Sequence, residues 1–152
     1  MRTVYKVLLT VIALLWLTGS LLPLFPFTQN IFIEYVPFLY ILYSPVCHQN
    51  VDKLICVDIS CSLLCARCVG IYLGVFITSF ALLFIEPKNV IPIKYLFILS
   101  IPLLLDVIFI SLGVYSYLKL IALLTGFIFG SAAFYYFYNG IEIFLYEKRI
   151  NK

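Results

Sequence analysis

Every cysteine in the chain lies in one short stretch. Cys47, Cys56, Cys61, Cys65 and Cys68 fall within 22 positions of a 152-residue sequence, and the single histidine, His48, stands among them. Cysteine used only as a small hydrophobe would scatter, so this grouping needs a chemical cause. Cys65-Ala66-Arg67-Cys68 is a CxxC motif with a guanidinium between its thiols. A helix N-terminus and a neighbouring cation both favour thiolate, which makes such sulfurs reactive or metal-binding. Ser60 is placed to cap a helix that continues into the next apolar run. Cys61, Cys65, Cys68 and Tyr72 would then follow at helical spacing and share one face.

Three chemistries fit these residues. Cys47, His48, Cys65 and Cys68 could form a Cys/His metal site, and thiolates with one imidazole suit zinc or another transition metal. The spacing matches no zinc finger. Alternatively, Cys65 and Cys68 could cycle as a dithiol, with Cys56 or Cys61 shuttling electrons to a quinone, as in the vitamin K epoxide reductase-like enzymes. Finally, the cysteines could be structural disulfides, although five is odd and leaves at least one thiol over.

The elements that must hold this stretch are set by composition. Hydrophobic residues make up 64% of the chain, charged residues 11% and aromatics 18%. Mean hydropathy is +1.13. A soluble domain this small cannot hide that much apolar surface. The expected class is therefore an all-α polytopic membrane protein of a single domain. A soluble enzyme, a disordered chain and a nucleic-acid binder are excluded, and membrane lipid is the expected surrounding. Four runs are long enough to span a bilayer, which takes about 20 apolar residues: about Tyr5–Leu22, Val69–Ile85, Tyr95–Gly113 and Lys119–Tyr138. They are continuously apolar rather than alternating, so helices are expected and a barrel is not. The shorter stretch Ile31–Val46 carries Glu34, Pro37 and Pro45. It reads as an interfacial or re-entrant helix, with a broken fifth span as the alternative.

Basic residues favour four spans. With the N-terminus inside, Arg2, Lys6, Lys88, Lys94, Lys148, Arg149 and Lys152 lie inside, and Lys53, Arg67 and Lys119 lie outside. That bias has the direction of the positive-inside rule, whereas five spans would divide the basic residues equally. A cell-membrane protein with both termini cytoplasmic and an outward loop at about 24–67 follows. The first run lacks an A-x-A cleavage site and continues through Leu21-Leu22-Pro23, so a retained helix is expected.

Two further patterns concern the spans. Gly70-x-x-x-Gly74 and Gly126-x-x-x-Gly130 offer flat stripes for close helix packing, or a slot for a quinone or a lipid tail. Asp106 lies inside the third span, where a carboxylate costs about 2.5–3.5 kcal/mol and normally faces a partner. It sits about 10 Å below the end of that span near Gly113. Thr125 and Tyr72 are expected at similar depth, and Arg67 is long enough to reach Asp106. Pro102 leaves the carbonyl of Ile98 without its helical donor and is a candidate kink.

The series Cys47-His48-Gln49, Cys65-Ala66-Arg67-Cys68-Val69-Gly70-Ile71-Tyr72-Leu73-Gly74, Pro102-x-x-x-Asp106 and Thr125-Gly126-x-x-x-Gly130 resembles domain of unknown function 2085. This is a family of small prokaryotic membrane proteins with no established activity. The likeness covers about positions 40 to 135. It adds Gln49, Arg67 and Asp106 to the signature and implies that aspartate replaces Cys68 in some members. Aspartate can bind a metal but cannot form a disulfide, so the resemblance favours a metal site at Cys47, His48, Cys65 and Cys68. Gln49, Arg67, Tyr72, Asp106 and Thr125 would surround it. The chain departs from the pattern at Lys53, where arginine is common, and near Ile110 and Ala122, where polar residues are. Cys56 and Cys61 are extra to the pattern.

Overall fold

A computed structural model describes residues 2–25, 34–57, 60–85 and 91–150, with only the backbone described at 2–3 and 145–150. Five helices and one hairpin account for nearly all of it. Helix α1 spans Arg2–Leu21, α2 Val36–Tyr43, α3 Ala66–Phe84, α4 Lys94–Ser111 and α5 Lys119–Ile150. Strands β1 (Leu54–Val57) and β2 (Ser60–Cys65) pair antiparallel ahead of α3. Helices α1, α3, α4 and α5 are each long and apolar enough to cross a membrane. Helix α2 has eight residues, about 12 Å of rise, which is far short of a bilayer core. Residues 31–33 of the expected interfacial stretch lie outside the described residues.

The four long helices alternate in direction. The Tyr5 hydroxyl in α1 donates to Glu142 in α5, so the start of α1 and the far part of α5 share one end of the bundle. Arg67, in the first turn of α3, meets Asp106, late in α4, at the other end. Helices α3 and α5 therefore run parallel and lie against each other. Their seam is built from the four glycines. A Cβ on Gly70 would lie 2.1 Å from the Leu123 carbonyl oxygen, and one on Gly130 2.1 Å from that of Ile71. A Cβ on Gly74 would lie 2.4 Å from Phe127 O, and one on Gly126 2.4 Å from Arg67 O. Each helix thus presses its glycines onto the other's backbone, an approach that a larger residue would block.

Apolar side chains close both ends of this seam. Leu17, Tyr43, Cys47, Leu63, Leu64 and Val69 form a cluster at the hairpin end, and Leu82, Phe134 and Tyr138 form one at the other. Pro102 sits inside α4 without ending it.

One local expectation is overturned. Residues 60–65 form a strand, not the first turns of a helix, and α3 begins only at Ala66. Ser60 therefore caps no helix, and Cys61 does not share a helical face with Cys65, Cys68 and Tyr72. The cause is a partner: Leu54-Ile55-Cys56-Val57 pairs with 60–65, with Cys56 opposite Cys61 and, past a shift in register, Leu54 opposite Cys65. β-Branched residues in β1 favour this pairing.

Candidate metal centre

The hairpin delivers Cys65 to the site and α3 delivers Cys68. Cys65 is the last residue of β2 and stands at the N-cap of α3, and Cys68 follows in the first turn. Cys47 arrives from the other side, just beyond α2, where its backbone N–H donates to Tyr43 O at 3.1 Å. The three sulfurs lie within 4.8 Å of one another. In a zinc–thiolate site, with Zn–S near 2.3 Å, sulfurs stand about 3.8 Å apart, so the group needs little contraction to close on an ion. Cys56 and Cys61 are joined in a disulfide across the hairpin, which leaves these three cysteines as the free thiols.

Hydrogen bonding singles out Cys47. Its sulfur accepts the Cys65 backbone N–H at 3.3 Å, and the Gln49 amide adds to this. Donation from the Cys65 and Cys68 thiols, together with those amides, outweighs burial and holds the Cys47 thiol well below its ordinary range. Cys65 moves up, chiefly because it gives its proton to the bond with Cys47. The trio therefore releases its first proton easily and the next with difficulty, as coupled sites do.

His48 stands apart from the sulfurs. Residues 47–50 alternate between buried and exposed, with Cys47 and Gln49 inside and His48 and Asn50 in solvent. Cys47 is turned inward and the imidazole of His48 outward, away from the three sulfurs. Gln49 fixes this arrangement. Its φ is +49°, rare for a residue with a side chain. Its buried side chain donates from Nε2 to Tyr40 O at 3.0 Å.

Aromatic rings wall the thiols. Trp16 meets Tyr43 edge-on at 4.8 Å between centroids and lies 6.0 Å from Tyr72. The Tyr43 hydroxyl donates to Trp16 O at 2.7 Å. Tyr72 thus faces the thiol side of α3.

Arg67 leaves the opposite side of the same helical turn. Its Nη2 lies 2.5 Å from Asp106 Oδ2, and the Tyr115 hydroxyl donates to Asp106 Oδ1. Both oxygens of the buried carboxylate are therefore occupied. Thr125 is buried and spends its hydroxyl on Ile121 O and Ala122 O within its own helix. The Tyr117 ring lies 5.8 Å from the Arg67 guanidinium and 5.6 Å from Lys53 Nζ, within cation–π range. Burial is the main cause that pushes the Tyr117 hydroxyl up to about 12.

Tyr115 and Tyr117 were not singled out by sequence reasoning. They are brought back over Asp106 by the way α4 ends. Gly113 adopts φ +70°, Gly113 N–H donates to Ile110 O, and Val114 N–H donates to Phe109 O. This is a Schellman turn, which calls for glycine at that position. A glycine followed by two tyrosines, seven residues after a membrane aspartate, was the signal available.

A family model described as a predicted membrane protein, DUF2085, matches residues 47–136. An uncharacterized protein of Methanocaldococcus jannaschii is 29% identical over 154 residues, covering 97% of this chain and 99% of that protein. No solved structure matches.

Proposed function

The chain belongs to the DUF2085 family of predicted membrane proteins, and from that premise we propose that it is a metal-binding membrane protein whose ligands are Cys47, Cys65 and Cys68. One observation carries the reading: three free thiols, one of them 18 residues before the CxxC pair, converge within 4.8 Å. Three supports accompany it. Backbone amides point at the Cys47 sulfur before any ion arrives, the kind of outer hydrogen bonding that tunes metal ligands. Gln49 holds a costly backbone conformation beside the site. Cys56 and Cys61 pair with each other, so Cys47, Cys65 and Cys68 are the thiols left to hold an ion. Three thiolates suit zinc or copper(I).

In this reading the thiol end of the bundle faces the extracytoplasmic side of the cell membrane and both termini are cytoplasmic, an orientation supported by the positive-inside bias of the basic residues. Arg67 and Asp106 neutralise each other at the first turn of α3 and so fix the helix that presents Cys65 and Cys68.

Elemental analysis of detergent-purified protein, prepared under reducing conditions with metal supplied, tests the proposal. We expect about one ion per chain, lost in Cys65→Ser. Absence of stoichiometric metal, or metal unchanged by that substitution, would overturn it. A thiol count that falls when quinone is added would point to a thiol oxidoreductase instead.

A further inference from the structure

We propose that this metal site, taking the reading above as its basis, is a sulfur-only site for a soft monovalent ion of the copper(I) class, and that His48 takes no part in it. Zinc in structural sites is almost always held by four protein ligands. Here the converging group contains three cysteines, and no His, Asp or Glu among the described residues joins it. His48 is the obvious fourth ligand by position, yet the chain on both sides of it is tied down. Cys47 is buried and its backbone N–H is bonded to Tyr43 O. Gln49 is buried in a left-handed conformation, with its amide anchored on Tyr40 O. Bringing the imidazole to the sulfurs would turn Cys47 away or release Gln49.

The surroundings disfavour a water in the fourth place as well. Cys47 is buried in an apolar cluster with Leu17, Tyr43, Leu63, Leu64 and Val69, and the half-buried Cys65 and Cys68 pack against it beside Trp16 and Tyr72. A water there needs two or more polar partners. An ion content with two or three sulfurs requires neither a fourth side chain nor a water. Soft thiolates suit both copper(I) and zinc, and it is the lack of a fourth side chain in the converging group that favours copper(I) over zinc, which is almost always held by four ligands in structural sites. Binding is a ligand exchange with no change of oxidation state: copper(I) leaves its carrier, sulfur–copper bonds form, and each thiol that becomes thiolate releases its proton to solvent.

The test uses the full chain in detergent under anaerobic, reducing conditions, with the three thiols free. Copper(I) is supplied from a chromophoric chelator, and Zn(II) is supplied separately. X-ray absorption on the copper-loaded protein is expected to show one copper per chain with sulfur scatterers alone. The affinities for both ions should change less than twofold in His48→Ala, and Zn(II) should be lost on desalting. Cys47→Ser should weaken copper(I) binding at least a hundredfold, and the spectrum of the unaltered protein stands even if that variant misfolds. Zn(II) retained with a nitrogen in its shell, and lost in His48→Ala, would overturn the proposal while leaving the metal-binding reading intact. Binding of neither ion would overturn both.

Discussion

Substituting alanine at Gly130 tests the glycine seam at one of its two tightest points. The new Cβ would lie 2.1 Å from the Ile71 carbonyl oxygen and 2.8 Å from its carbonyl carbon. Ordinary contact begins at 3.4 Å, so α3 and α5 must part locally by about 1.3 Å, and the obstacle is backbone rather than a side chain that can rotate. Overpacking of this kind costs about 1–3 kcal/mol, and an immovable target puts it at the upper end. Gly140, in the same helix, is the internal control because nothing lies within 4 Å of its would-be Cβ. Alanine there should be neutral or stabilise the helix by up to about 1 kcal/mol. The two substitutions are chemically identical, so the gain in helix propensity cancels and their difference, about 3 kcal/mol, isolates the helix–helix approach. Unfolding in mixed micelles can be followed by the single tryptophan, which packs against Tyr43 and Tyr72. If Gly130→Ala unfolds within about 0.5 kcal/mol of Gly140→Ala, the ordinary scatter of neutral substitutions, the seam does not carry the packing described.

Asp106→Asn removes the charge opposite Arg67 and should cost about 3 kcal/mol, while Arg67→Met with Asp106→Leu recovers much of it, because a lone buried charge is worse than none; equal loss in the single and double variants on the same unfolding assay would contradict this. Replacing Cys56 and Cys61 together by serine should cost about 2 kcal/mol, since the loop they close is short. Mass spectrometry after alkylation without reduction should find three modified cysteines, and five would show that the hairpin disulfide is absent. In metal-free protein the lowered Cys47 keeps its charged form below the pH at which a free thiol ionises, about 8.5. Ultraviolet titration should therefore show about one thiolate per chain persisting at pH 6, and an ionisation curve beginning only near the ordinary thiol range would refute the shared-proton arrangement.

The spans were readable because lipid imposes a rule on length and polarity that a single sequence must obey. Four apolar runs became four long helices, with ends shifted by a few residues except in α5, which continues past Tyr138 to Ile150. Asp106 could be paired with Arg67 on reach alone, and the structure joins them. Local detail was less readable. The segment from Ser60 to Cys65 has helical spacing to Cys68, yet its backbone is claimed by a strand six residues upstream, a non-local preference that periodicity does not register. His48 fails to join the sulfurs for the opposite reason. Its adjacency to Cys47 suggested a shared site, but Cys47 and Gln49 are buried on either side of it while His48 itself is exposed, a local backbone arrangement that sequence order does not reveal. Tyr115 and Tyr117 depend on a helix ending at Gly113 with a particular turn, so their reach over Asp106 is a property of backbone geometry rather than of composition.

Helix α4 has a single buried residue, Asp106. An apolar rod surrounded by lipid can spin about its long axis with little energetic preference. Here one carboxylate clamped by Arg67 and Tyr115 selects the rotation. The same clamp bears on synthesis order. Helix α3 is made before α4, so the guanidinium is already in place when the carboxylate enters the bilayer, and the cost of about 2.5–3.5 kcal/mol for burying a lone charge is offset on arrival. A rearranged chain that began with α4 would have to insert its aspartate unaccompanied, and its topology would be the first thing to fail.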